Sequence, residues 1–322
     1  MIIYFYSNKP RAGKSLILSA FSNLLTKKNI KNIAIKPIFD PSSKDDSETQ
    51  SNFNELLAQN TQFQSQSASI KQTKNDLKEF VSEIQNLNKK YKVVLVEVAS
   101  NASIDFNSEL PDSNSIHILI NEFATTANIK HINSYKNLDW IIYNKVPKYR
   151  SNYIQSTIIP KLKLESKKVI ASIPESRLLN SNSINEINLF LNGTYIVEEN
   201  TENIIESFLI GTPTMDSGKH YYNYHKNPAV IVRSDRPDIQ MSALYQDVKC
   251  LILAGKSKIA DYVIYEAEVR EIPLIQVDSN TIDTANQINL ISKITNPFHR
   301  HKMEAITKTL NDQINLDTIL SI

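Results

Sequence analysis

Short, continuous apolar runs alternate with helically spaced ones along most of the chain, the pattern of strands buried on both faces of a parallel sheet. Met1 to Tyr6 is the first run, and Leu16, Ile17, Ala20, Phe21, Leu24 and Leu25 then recur at helical spacing. Asn32 to Phe39 reads as a second strand. Leu77, Phe80, Val81, Ile84 and Leu87 make a helical face, followed by Lys89, Lys90 and Lys92 where cations suit the end of a helix dipole. Tyr91 to Val98, Ile116 to Ile120, Trp140 to Tyr143 and Val169 to Ile173 are further strands. Such spacing predicts an α/β fold with a doubly wound parallel sheet and ligands at its carboxyl edge. Leu178 to Leu191 reads as a helix-bearing connection. Beyond it the pattern restarts, with an apolar run from Ile204 to Ile210 and strands over Ala229 to Val232, Val248 to Ala254 and Pro273 to Val277. A helix is expected over Ile259 to Glu271, and the tail from Thr281 to Ile322 is helical in pattern, interrupted at Asn296-Pro297. A length of 322 residues accommodates two such cores, expected at 1–197 and 198–322.

Composition narrows the classes. With 41% hydrophobic and 22% charged residues the chain is an ordinary globular one. A net charge of +2 and the lack of a basic stripe with interleaved aromatics give no reason to expect nucleic acid. The first apolar run stops at Ser7, short of a membrane span and without a basic leader, so a cytoplasmic protein without a membrane partner is expected. The single cysteine, Cys250, excludes an internal disulfide framework and a Cys-rich zinc site, and its apolar setting makes it a buried small hydrophobe rather than a nucleophile. The polar stretch from Asp40 to Lys71 is long for a connection; its Lys44-Asp45-Asp46 carboxylates either approach a metal from behind its ligands or form a solvated turn.

Candidate chemistry concentrates where the first strand meets the first helix. Tyr4 to Ser15 runs through a basic turn into Gly13-Lys14-Ser15, and the chain has only five glycines to place. Gly-Lys-Ser in a strand-turn-helix context sets backbone N–H groups and a helix N-terminus against phosphate, with Lys14 reaching the β/γ-phosphates and the Ser15 hydroxyl available to Mg²⁺. Asn8, Arg11 and Ala12 complete the loop; Asn8 stands where the usual pattern has its first glycine, and Asn tolerates positive φ. An ordinary strand-turn-helix corner is the alternative. Glu97 ends the run Val93-Val94-Leu95-Val96, a Walker-B-like position for a Mg²⁺ ligand, or else a local hydrogen-bonding end of the strand. Asn144, after a later strand, either reads a purine base edge or forms a turn. In the second half, Arg233-Ser234-Asp235-Arg236-Pro237-Asp238 reads as a helix start, where Asp caps exposed N–H groups and Pro suits the first turn, and Gly255 ends a strand. His299, Arg300, His301 and Lys302 read as a solvated helix start rather than an anion site.

These residues carry a family resemblance. The first half resembles the dethiobiotin-synthetase-like P-loop domain through Lys9, Gly13, Lys14 and Ser15, Lys36-Pro37, Glu97 and Asn144, with Lys9 at the position of the extra lysine of deviant Walker A ATPases. The second half resembles a DRTGG domain through Asp235, Arg236 and Asp238, and through Ala254-Gly255 where that family has Thr-Gly-Gly. The two in this order are similar to the amino-terminal regulatory half of long phosphotransacetylases, without the acyltransferase domain that would follow. Pro10 and Val98 depart from the pattern; Val98 stands where the ligase relatives have Gly and narrows the space beside a γ-phosphate.

The resemblance implies an ATP- and Mg²⁺-binding regulatory or scaffold protein, with Lys14 and Lys9 assisting any slow ATPase activity. It also implies a partner that is a separate acyltransferase or other metabolic enzyme, and a homo-oligomer. A dethiobiotin-synthetase-type ligase that activates a carboxylate is one alternative, disfavoured by Val98. A degenerate dimerisation module that binds no nucleotide is the other.

Overall fold

The computed structural model describes residues 1–7, 9, 11–35, 82, 84–98, 115–124, 132, 138–162, 168–213, 215–291 and 299–320. Its chain forms two compact units: Met1–Ser176 with Pro297–Ile322, and Arg177–Asn296.

The first unit is built on a six-stranded sheet of β1 (Ile2–Ser7), β2 (Asn32–Ile35), β3 (Val93–Glu97), β4 (Ser115–Glu122), β5 (Trp140–Val146) and β6 (Lys168–Pro174). The order is β2-β3-β1-β4-β5-β6, and every pairing is parallel. Strand β1 is buried at all six positions and β3 at all five, which explains why both read as unbroken apolar runs. Between the β1–β3 pair and β4 the direction of winding reverses, so the loop after β1 and the end of β3 open onto the crevice where doubly wound sheets take ligands. Helix α1 (Lys14–Lys27) covers one face, with Phe21 set edge-on against Phe5 at 5.3 Å between ring centroids. On the other face Ile84, Leu87, Ile154, Ile158 and Leu162 pack on Tyr4, Val94, Val96 and Leu119.

The second unit holds β7 (Asn182–Ser183), α2 (Ile184–Leu191), β8 (Thr194–Val197), β9 (Ile204–Ile205), β10 (Ser207–Ile210), α3 (Met215–Tyr222), β11 (Pro228–Arg233), α4 (Pro237–Leu244), β12 (Cys250–Ala254), α5 (Asp261–Val269), β13 (Leu274–Val277) and α6 (Thr281–Ile291). Strands β10-β11-β12-β13 are parallel, and β8 closes the edge antiparallel to β13. Alternate residues of β11 and β12 feed two cores. Val230, Val232, Leu251 and Leu253 pack with α3, α4 and α5, while Ala229, Ile231, Cys250 and Ile252 pack with α2 and α6. Ser183 and Glu186 form a reciprocal capping box that starts α2.

The unit boundaries differ from those the sequence suggests. Because β8 pairs with β13 and α2 packs on α6, the division falls at 176/177 and not at 197/198. The tail also departs from the second core: α7 (Arg300–Gln313) lies along α1 and beside β6 in the first unit, followed by α8 (Leu316–Leu320). The Gln313 amide hooks the exposed edge of β6, accepting from Ser172 N at 2.7 Å and donating to Ser172 O at 3.1 Å. Lys28 pairs with Asp317 at 2.9 Å. The expected solvated start at 299–302 holds only in part. His299 caps α7 and Arg300 pairs with Glu304 at 2.9 Å, but Lys302 is fully buried on the helix face that also carries Met303, Ile306 and Leu310. The second unit is thus an insertion between β6 and α7. Among the described residues no helix is long and apolar enough to cross a membrane.

Candidate functional site

The site is assembled where β1, β3 and β5 end. After β1 the chain turns, with Ser7 Oγ donating to Lys9 O at 2.8 Å and Lys9 itself exposed. Arg11 (φ 57°) and Gly13 (φ 93°) both adopt left-handed backbone, so the loop changes direction twice before α1 begins at Lys14. Such alternation lines up successive N–H groups into an anion-binding concavity at a helix N-terminus. Asn8 and Pro10 lie outside the described residues, as do Lys36, the 40–71 stretch and its Lys44-Asp45-Asp46.

The end of β3 meets the start of α1 through one carboxylate and one backbone carbonyl. Ser15 Oγ donates to Glu97 Oε1 at 2.9 Å, and Lys14 Nζ donates to Val98 O at 2.5 Å; all three side chains are buried. Glu97 lies 82 residues from Ser15, and Val98 84 residues from Lys14, and the fold brings them to one point. A hydroxyl beside a carboxylate is a donor set of hard oxygens, which suits Mg²⁺, an ion that commonly takes one or two protein oxygens and completes its shell with phosphate and water. Among the described residues no group of three or more His, Cys, Asp or Glu side chains could hold a metal by itself.

From β5 come two further contacts. Asn144 Nδ2 donates to Ala12 O at 2.8 Å while its Oδ1 accepts from Lys145 N at 2.9 Å. Lys145 Nζ donates to Arg11 O at 3.0 Å and stands 3.7 Å from Glu122. The structure therefore turns the Asn144 amide toward the loop backbone, the placement that neither sequence alternative described. Lys145 was missed altogether; its adjacency to Asn144 at a strand end was the available signal.

The second-unit residues fall into a different arrangement. Asp235 does not cap α4: the helix starts from Arg236 without a side-chain cap, and Pro237 occupies the first turn as expected. The Asp235 carboxylate instead takes the Arg233 guanidinium at 2.9 and 2.5 Å, and Asp238 takes Arg236 at 2.9 and 2.7 Å. Each guanidinium holds its exposed carboxyl below the usual carboxylate range. Gly255 has φ 109°, and a Cβ there would stand 2.8 Å from Ser234 Oγ, which accepts from Ser257 N at 3.2 Å. Gln276 Nε2 holds the same turn, donating to Gly255 O and Ser257 O at 2.9 Å. These bonds make Gly255 a requirement of the turn.

Residues 186–291 match the DRTGG domain. The match lies wholly inside the second unit, and the first unit is an α/β domain on a six-stranded parallel sheet. Similar solved structures include the CBS and DRTGG regulatory region of Clostridium perfringens pyrophosphatase in complex with its activator diadenosine tetraphosphate, 19% identical over 33% of this chain and 46% of that one, with a TM-score of 0.30. This chain thus spans less than half of that region's length. The MinC:MinD cell division complex of Aquifex aeolicus is 13% identical over 55% of this chain and 83% of that one, with a TM-score of 0.41. FlhF complexed with GMPPNP and Mg²⁺ is 17% identical over 54% and 68%, with a TM-score of 0.39.

Proposed function

We propose that the chain is a nucleotide-binding regulatory protein whose first unit holds the phosphate tail of ATP with Mg²⁺ and whose DRTGG unit passes that state to a partner. The observation that carries this reading is the Ser15–Glu97 hydrogen bond at 2.9 Å, with Lys14 buried beside it at the mouth of a doubly turned loop. Burying a carboxylate, a lysine and a hydroxyl together is costly unless they serve a charged ligand or one another.

In this reading the loop N–H groups and Lys14 hold the β/γ-phosphates, Lys14 exchanging Val98 O for a phosphate oxygen. Ser15 and Glu97 hold Mg²⁺, which when bound neutralises charge on the phosphate oxygens. Any hydrolysis is electrostatic and slow, with Lys14 stabilising charge on the transferring phosphoryl group and the exposed Lys9 assisting. Lys9, Arg11, Ala12 and Gly13 line the phosphate end, and Asn144 stands behind it. The resemblance to the regulatory half of long phosphotransacetylases supports a separate acyltransferase or other metabolic enzyme as the partner, and a homo-oligomer as the working form. Asp235, Arg236, Asp238 and Gly255 shape the DRTGG unit's carboxyl edge in the same scheme.

Calorimetric titration of ATP with Mg²⁺ into the full chain and into Lys14→Ala tests the reading. Saturable binding that the variant loses is expected; no heat with any purine triphosphate would overturn it.

A further inference from the structure

A loop that offers N–H groups to an anion must turn the attached carbonyls the other way, because C=O and N–H point in opposite directions across a trans peptide. Those carbonyls then need donors of their own. Two successive ones have them here: Arg11 O accepts from Lys145 Nζ at 3.0 Å and Ala12 O from Asn144 Nδ2 at 2.8 Å. Fixing Arg11 O orients the Ala12 N–H away from β5, and fixing Ala12 O does the same for the Gly13 N–H. The braces are themselves held. Asn144 is buried, its Oδ1 accepts from Lys145 N, and its carbonyl accepts from Phe123 N at 2.9 Å. Lys145 has a left-handed backbone (φ 56°), which turns its side chain back to the loop, and Glu122 stands 3.7 Å from its ammonium.

We propose that Asn144 and Lys145 are positioning residues for a polyphosphate ligand, acting on the loop and not on the base. This rests on the phosphate reading of the site and adds to it a statement about selectivity: Asn144 contributes equally to every nucleoside triphosphate, because what it fixes is the cradle for the tail. An asparagine reading a base edge would instead discriminate one base from another.

The test titrates ATP, CTP and inorganic tripolyphosphate, each with Mg²⁺, into the full chain and into Asn144→Ala, Asn144→Asp, Lys145→Met and Lys145→Arg. Asn144→Ala, Asn144→Asp and Lys145→Met are expected to weaken all three ligands by the same factor, about tenfold for a lost hydrogen bond of this kind. The ratio of ATP to CTP affinity stays constant throughout. Lys145→Arg, which keeps a cationic donor, recovers most of the affinity. Thermal unfolding identifies any variant that fails to fold, and Lys145→Met, at a partly exposed position, tests the bracing if the Asn144 variants do not. A changed ATP to CTP ratio in the Asn144 variants with tripolyphosphate untouched would overturn the proposal in favour of base reading, and unaltered affinities for all three ligands would overturn it outright. A wild-type chain that binds none of the three contradicts the phosphate reading itself, a result visible before any variant is made.

Discussion

Asn144 fills the space that a side chain on Gly13 would need: a Cβ at Gly13 would stand 2.3 Å from Asn144 Nδ2, the same nitrogen that donates to Ala12 O. One nitrogen of β5 therefore both braces the loop and fills the space beside Gly13. Gly13→Ala meets both this contact and a φ of 93°, which L side chains avoid. The variant is expected to lose about 1–3 kcal/mol of stability and most of its nucleotide affinity. Pairing it with Asn144→Ala relieves the contact and leaves the backbone penalty, so a double-mutant cycle by thermal unfolding should show a favourable coupling between the two sites.

The placement of α7 on α1 makes residues 300–313 part of the first unit. Leu310 and Ile306 are buried to 0% and 1% exposure on the face that α1 covers. Leu310→Ala should destabilise the first unit by about 2–5 kcal/mol, while hydrogen exchange in β11 and β12 stays as in the wild type. Equal loss of protection in both units would contradict the division of the chain described above.

Cys250 supplies a label for the other unit. It is fully buried in β12, and desolvation pushes its thiol far above the usual range. A thiol reagent should leave the native chain unmodified at neutral pH, and the modification rate should follow unfolding of the second unit across a denaturant series. Rapid modification of the native chain would show that this core is open.

The two Arg–Asp pairs of the DRTGG unit have a defined pH signature. Their carboxyls have folded pKa values below the ordinary 3.8, so whatever they add to stability is present above that value and is lost as pH falls through the folded pKa. Both are exposed and screened by water, so Asp235→Asn and Asp238→Asn should shift the melting temperature at pH 7 by little. Any difference from wild type should vanish in acid, which a melting series from pH 7 to pH 2 would record.

Much of this was legible in the sequence where one residue type serves one need. Continuous apolar runs marked the parallel strands of both sheets, and Gly13, Lys14, Ser15 and Glu97 marked a point where β1, β3 and α1 converge because small, hydroxyl and charged groups stand out at the ends of apolar strands. The missed features all depend on contacts distant in the chain. The tail read as the end of the second core because a helical period does not state which surface a helix covers; Lys302, a charge in a polar-looking cluster, is fully buried on α7, which packs along α1 and beside β6. Lys145 carries no motif and becomes part of the site through a bond to a carbonyl 134 residues away. Asp235 followed helix-capping rules until Arg233, two residues before it, offered a bidentate partner.

The most direct measurement of the central claim is the Mg²⁺ dependence of ATP binding in the wild type and in Glu97→Gln. If Ser15 and Glu97 hold the metal beside the phosphate tail, Mg²⁺ strengthens binding to the wild type by about tenfold or more, and Glu97→Gln removes that gain without weakening metal-free binding. Equal enhancement by Mg²⁺ in both chains would contradict the site as described.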